Sequence, residues 1–434
     1  GNFDKLDFDT NLKSQEAIEK MVPASPSKDC ILTEDDIYFI KEYLTKYKAG
    51  VTGALLPNLE TNKFWDNLAE SIESISFDKY SEIFNVLWYQ QPEFNLLFTR
   101  LLNALAQLSF SKYFYCDFDI ITRSLPDFYK EKFKSHVNIL DVRALDKMLY
   151  QTDSFTIWTE DGNNVSLSSD ILCAICKEVI LELPKLESEE EQFINYIDIL
   201  DFPGSRPGSP ISIDKKVSSK DIGQAILRGK VNFLFNTYSD EYKLNNLAIV
   251  SCLAEQKDGA AQIPEILNNW INNYIGKTPE AREKSIQNMG LPPLFVILTY
   301  WNKILEYDKR KDDINPKNRL DTAFKTRFYE DILSNNTWPE NWCLSEKYFK
   351  NFYLLRDFNY CTLFKKDDNE LEHEINSEKE EFFKNLKTSF SESKKTSLYF
   401  RNSNESWTAA TSPNLDGSDL IIKSLYQVTS NKLK

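Results

Sequence analysis

The sequence predicts an α/β fold, a doubly wound and mostly parallel sheet with large helical insertions. Three observations predict it. Three near-continuous apolar runs end abruptly, at Asn195-Tyr-Ile-Asp-Ile-Leu-Asp-Phe-Pro-Gly204, Asn246-Leu-Ala-Ile-Val-Ser-Cys-Leu253 and Pro293-Leu-Phe-Val-Ile-Leu-Thr299. Unbroken apolar runs are what parallel strands buried on both faces require. Helical patterns fill the spaces between them, over about Lys220 to Tyr238 and Gln262 to Tyr274, and strand–helix–strand alternation at this spacing builds right-handed βαβ units. The first run closes on Asp201 and opens into Ser205-Arg-Pro-Gly-Ser-Pro210, the most loop-like stretch of the chain. In open α/β sheets ligands bind outside the carboxyl ends of the strands, so that stretch is where a site is expected.

The elements follow in order. Residues 1–30 are polar and irregular. Thr33-Glu-Asp-Asp36 reads as a capping box with Asp36 in the usual Glu or Gln place, followed by Ile37, Phe39, Ile40, Tyr43 and Leu44 at helical spacing. Residues 62–107 continue as helices, with apolar faces at Phe84, Leu87 and Trp88 and at Phe94, Leu97, Phe98, Leu101 and Leu102, broken at Gln91-Pro92. Residues 112–167 turn β-rich, in Tyr113 to Ile121, Asn138 to Val142 and Phe155 to Trp158. Asp161-Gly-Asn-Asn164 reads as a turn closing a hairpin onto Val165–Leu167. Ser168-Ser-Asp170 then caps a helix. Beyond the three buried runs, Asp321 to Leu333 reads as helix and Tyr348 to Leu355 as a further strand. Residues 366–390 read as a charged helix, and 395–434 as a compact tail. The corresponding segments are a helical 1–110, a mixed 111–185, an α/β core at 186–365 and a C-terminal 366–434.

Composition narrows the function. A formal net charge of -14 lacks the basic footprint of a general nucleic-acid binder. No apolar run reaches about 18 residues, so no integral membrane segment is expected. Seven scattered Cys fit reduced thiols in a cytosolic protein better than a disulfide framework. Cys173 and Cys176 form a C-x-x-C, but inside an apolar helical run, where core packing is the simpler reading. With His136 and His373 the only histidines, a zinc site or a His-based triad is not expected.

The strand ends carry the candidate chemistry. Asp201 could hold Mg2+, directly or through water. Gly204, without a Cβ, lets its N–H approach a terminal phosphate. Arg206 could contact phosphate, and Arg228 and Lys230 lie in the helix that follows. The loop after Gly204 would order with a γ-phosphate. Thr299-Tyr-Trp-Asn302 follows the third strand, where a base-reading loop belongs. A D-x-x-G at a strand end with such a loop is what a GTPase uses, which makes GTP and Mg2+ the expected ligands. No G-x-x-x-x-G-K-[ST] occurs, and Gly276-Lys277-Thr278 follows a helix, so it reads as a connector.

These stretches resemble the SrfC-type bacterial virulence-factor family. The resemblance rests on Tyr196–Gly204, Leu227-Arg-Gly-Lys-Val-Asn-Phe-Leu-Phe235, Leu294–Thr299, Leu32–Asp36, and Trp407 with Asn414-Leu-Asp-Gly417, and runs from about residue 30 to about 430. It implies a P-loop GTPase-like domain, encoded with partner proteins and associated with virulence, in the bacterial cytoplasm or exported as an effector. The chain departs from it in three places. The family's phosphate loop would lie upstream of residue 1. Tyr300 and Asn302 replace the Lys and Asp of a T-K-x-D base motif. The long helical region of the family is missing. Two functional readings stand, a nucleotide-hydrolysing domain or a degenerate, non-catalytic scaffold that assembles with partner proteins. In a third, Asp201–Gly204 is only a strand-ending turn.

Overall fold

The computed structural model describes residues 29–47, 55–117, 142–148, 153–182, 197–201, 217–241, 243–252, 263–287, 289–309, 316–324 and 336–432, with Ile120, Asn195, Asp312 and Ile314 between them. The chain divides into two compact units. One comprises Gly1–Leu181 with Gly208–Leu234, the other Glu182–Pro207 with Phe235–Lys434.

The first unit opens with α1 (Glu34–Tyr47). Its capping box forms as read: the Thr33 N–H donates to Asp36 Oδ2 at 2.8 Å, and the Asp36 N–H donates to Thr33 Oγ1 at 3.3 Å. Helices α2 (Leu55–Thr61), α3 (Phe64–Ser71) and α4 (Tyr80–Phe84) pack with α1 around Leu59, Trp65, Ile72 and Tyr80. Pro92 starts α5 (Pro92–Gln107), at a position where its missing N–H costs no hydrogen bond. A meander then forms from β1 (Phe114–Tyr115), β2 (Ser154–Thr159) and β3 (Asn164–Ser168), antiparallel throughout, with the expected turn between β2 and β3. Helix α6 (Ser169–Ile175) follows. Ser168 holds its N-cap position without a side-chain capping bond, while Asp170 is fully buried and paired with Arg100 at 3.4 Å. Cys173 packs among Leu97, Met148 and Ile222, as a core residue. The 22-residue α7 (Ser219–Asp240) runs through the division between the units.

The second unit holds a three-stranded parallel sheet in the order β4 (Leu247–Cys252), β5 (Leu294–Thr299), β6 (Phe352–Leu354). Two of the three expected buried runs are therefore strands. Alternation along β5 explains why its run is unbroken. Leu294, Val296 and Leu298 face a core with Trp301, Trp342, Phe390 and Trp407, while Phe295 and Ile297 face Leu291, Tyr353 and Val428. The link from β4 to β5 carries α8 (Ile263–Trp270), a π-helical turn (Ile271–Ile275) and α9 (Pro279–Gln287). The Gly276-Lys-Thr278 turn joins the last two. Gly276 has φ +155, and Arg282 donates to the Gly276, Asn341 and Trp342 carbonyls, which fixes the turn as a junction in the fold. After β5 come α10 (Trp301–Leu305) and α11 (Lys317–Ala323). The chain ends with the hairpin β7 (Phe364–Lys366) and β8 (Glu372–Ile375), then α12 (Glu380–Glu392), α13 (Lys394–Tyr399), α14 (Ser403–Thr411) and α15 (Ser418–Lys432).

The fold is a mixed α/β arrangement with small sheets, of which one among the described residues, three strands wide, is parallel. Two expectations are corrected. The first apolar run forms no strand: Ile197–Asp201 has no regular structure and Ile199 is 74 % exposed. A strand needs a neighbour to take its backbone hydrogen bonds and cover its side chains, and Ile197–Asp201 pairs with none of the described strands. The start of the charged segment 366–390 is a hairpin, because Asp367 Oδ1 accepts the Asn369 and Leu371 N–H groups and closes a tight turn before helix can begin. Residues 1–28, 121–141 and 325–335, where further expectations fell, lie outside the described residues.

Candidate functional site

Parallel register brings Cys252, Thr299 and Leu354 to one edge, the carboxyl ends of β4, β5 and β6. Thr299 is half-buried there, and its Oγ1 donates to the Ser251 carbonyl at 3.3 Å, joining the ends of two strands. The next residue, Tyr300, has φ +55 and ψ 34. A non-glycine residue in the left-handed region costs on the order of 1 kcal/mol or more. The following contacts over-determine that backbone. The Trp301 N–H donates to the Leu355 carbonyl at 3.1 Å, the Lys303 N–H donates to the Tyr300 carbonyl at 3.0 Å, and the Trp301 ring is fully buried. The consequence is that Tyr300 turns outward, 42 % exposed, with the Lys303 ammonium 4.9 Å from its ring centroid. An aromatic face and a cation thus stand together just beyond the strand end.

Asn302 shares this turn but not its exposure. It is 1 % exposed, and its Oδ1 accepts the Asp357 N–H at 3.2 Å. It therefore ties the segment after β5 to the segment after β6. Asp201 lies in the same unit, exposed, without a hydrogen bond or ion pair among the described residues. Among the described residues, no three His, Cys, Asp or Glu side chains converge as metal ligands. Gly204 and Arg206 lie outside the described residues. Thr299 and Asn302 are thus brought to one strand end, and nothing described joins Asp201 to them. Arg228 and Lys230 stand on α7. Arg228 Nε donates to its own helix at Gln224 O, 3.1 Å away, and Lys230 Nζ donates to the Cys173 carbonyl at 2.7 Å. Burial pushes the Lys230 ammonium below the ordinary lysine range.

The residues that hold the strand-end segments were not legible as a group. Arg356, just after β6, makes a bidentate pair with Glu372 at 2.6 and 2.5 Å, both side chains fully buried. Arg356 also donates to the Leu415 carbonyl at 2.8 Å and the Ser412 carbonyl at 3.0 Å. Asn414 closes the cluster. Its N–H donates to Glu372 Oε2 and its Nδ2 to the Glu372 carbonyl, both at 2.9 Å, and its Oδ1 accepts the Glu372 N–H at 2.8 Å. The Arg356 N–H donates to the Asp416 carbonyl at 3.0 Å. Gly417, φ +99, lies so close to β6 that a Cβ would stand 2.0 Å from the Leu354 carbonyl oxygen. The clamp fixes the start of the segment that offers the Asp357 N–H to Asn302. The only local signal was Asn414-Leu-Asp-Gly417, whose turn chemistry is readable; its long-range partners are not.

Comparison with curated proteins and with solved structures returns no match. A family model described as "Putative bacterial virulence factor" matches residues 2–434, nearly the whole chain, and the chain belongs to that family of bacterial virulence factors.

Proposed function

We propose that the chain is a nucleotide-responsive, GTPase-like module of an SrfC-type virulence factor. The observation that carries this reading is the Tyr300–Lys303 pair at the carboxyl edge of the parallel sheet, the edge where α/β folds bind ligands. In this reading a purine base stacks on the Tyr300 ring beside the Lys303 ammonium, Thr299 lines the pocket and Asn302 holds its floor through Asp357. Asp201 holds Mg2+, and Gly204 and Arg206 meet the terminal phosphates. Mg2+ would neutralise the charge that develops as the γ-phosphoryl group leaves. The test is titration of fluorescent GTP and ATP analogues with Mg2+. Tyr300→Ala should weaken binding roughly tenfold, since base–aromatic stacking is worth about 1–3 kcal/mol. Asp201→Ala should abolish the Mg2+ dependence without lowering the melting temperature. Binding that neither variant alters would refute this site.

A second reading is a degenerate GTPase-like scaffold that assembles with partner proteins. Asn302 favours it: with its carboxamide buried and engaged by Asp357, it offers no open edge for reading guanine. Absence of nucleotide binding, together with retention of a stable complex with co-expressed bacterial partners, would select this reading.

A further inference from the structure

The parallel sheet of the second unit has an open edge. Its order is β4, β5, β6, so each outer strand has one neighbouring strand among the described residues. The β6 side is closed off at its start by a bridge between Asn351 and Phe400. The β4 side is not. The Leu247 N–H donates to the Pro293 carbonyl at 2.8 Å, and residues along a parallel ladder alternate in the side they bond to, so the backbone groups of Ala248 and Val250 point away from β5. Neither a charge nor a proline occurs in Leu247-Ala-Ile-Val-Ser-Cys252, and those are usual devices that keep an edge from pairing. One face of β4 is open too. Register places Ala248 beside Phe295 and Val250 beside Ile297. Phe295 and Ile297 are buried with Leu420, Ile421 and Val428 of α15, whereas Ala248 is exposed and Val250 is 63 % exposed.

A segment with the composition of a strand and no neighbour belongs to the same unit. Ile197-Asp-Ile-Leu-Asp201 pairs with no described strand, and Ile199 is 74 % exposed. Set parallel to β4 with Asp201 beside Cys252, it puts Ile197 next to Ala248 and Ile199 next to Val250, so the two isoleucines extend the apolar face of Phe295 and Ile297. Asp198 and Leu200 then fall on the other face, where a carboxylate at the sheet edge reaches water and blunts further pairing. A slip by one residue would turn both isoleucines to the wrong face. Pro203 and Gly204, just past Asp201, end such a strand. A segment of the same chain also has the concentration advantage of an intramolecular partner. A second copy does not, and a net charge of -14 opposes it.

We infer that Ile197–Asp201 docks on the open edge of β4 as a fourth parallel strand, in a second conformation of this unit. Docking carries Asp201 to the carboxyl edge that holds Thr299 and Tyr300. What that does for a nucleotide rests on the reading proposed above; the docking itself does not. Disulfide trapping in the full chain, without nucleotide, tests the docking alone. Paired residues on neighbouring strands lie about 5 Å apart, within disulfide reach. Ile199 and Val250 are both exposed, so cysteines at these positions leave the cores intact. Ile199→Cys with Val250→Cys should form an intramolecular disulfide under mild oxidation, located by peptide mapping. It should form roughly tenfold faster than with Ile199→Cys and Ser251→Cys, whose thiols would stand on opposite faces. Ile197→Asp puts a carboxylate on the apolar face and should slow the matched pair by a similar factor. No trapped bond, equal rates for the two pairs, or trapping that Ile197→Asp leaves unchanged would each overturn the inference. Disulfides formed only between molecules would overturn it too, and would assign the open edge to a second copy.

Discussion

The buried Arg356–Glu372 pair shows how one interaction can be costly to form and costly to break. Both side chains are fully removed from solvent, and two charges taken out of water lose several kcal/mol of hydration each. Here the loss is offset by the bidentate geometry, two backbone carbonyls on the guanidinium and the Asn414 N–H on the carboxylate. Removing one partner leaves the other charge buried alone. Glu372→Leu should therefore destabilise the unit by roughly 3–5 kcal/mol, whereas Arg356→Met with Glu372→Leu should cost well under the sum of the single changes. Urea titration of the two single variants and the double variant closes that cycle. Additive losses would mean that the two residues act separately.

At the scale of single elements, the first helix was the most legible. Thr33 and Asp36 were readable as a reciprocal cap because both partners sit within four residues, and the bonds form as read. Thr33→Ala should cost about 1 kcal/mol, seen as a lower urea midpoint with an unchanged slope; no change would mean that the cap is solvated away. The β2–β3 hairpin, the α5 start at Pro92 and strand β5 were legible for the same reason, since turn chemistry and burial on both faces leave local traces. Ile197–Asp201 was not. Its run of Ile and Leu has the composition of a buried strand, but composition does not say whether a neighbour is there to pair with. Val250 on β4, 63 % exposed, shows the same limit on a strand that does pair. At the candidate site, Thr299 was rightly placed at a strand end. The outward turn of Tyr300, the burial of Asn302 and the Arg356 clamp depend on contacts tens of residues apart, which no local pattern records.

For the molecule as a whole, the relevant fact is that each unit has its own core. The second is built on Trp301, Trp342, Phe390 and Trp407 around the parallel sheet, and the first on Trp65, Tyr80 and the α5–α6 face. A chain with separate cores need not unfold in one step. Gly417 offers a way to test this, because its lesion is confined to the second unit. A side chain there would be strained by φ +99, and its Cβ would overlap the Leu354 carbonyl oxygen, a backbone atom that cannot move aside without disturbing β6. Gly417→Ala should cost roughly 3 kcal/mol or more. In a calorimetric scan the variant should shift only the component of the endotherm that belongs to the second unit. Hydrogen exchange should loosen β5 and β6 while the amides of α3 and α5 keep their protection. An endotherm that moves as one transition, with both sets of amides deprotected together, would show that the two cores melt as a single cooperative body.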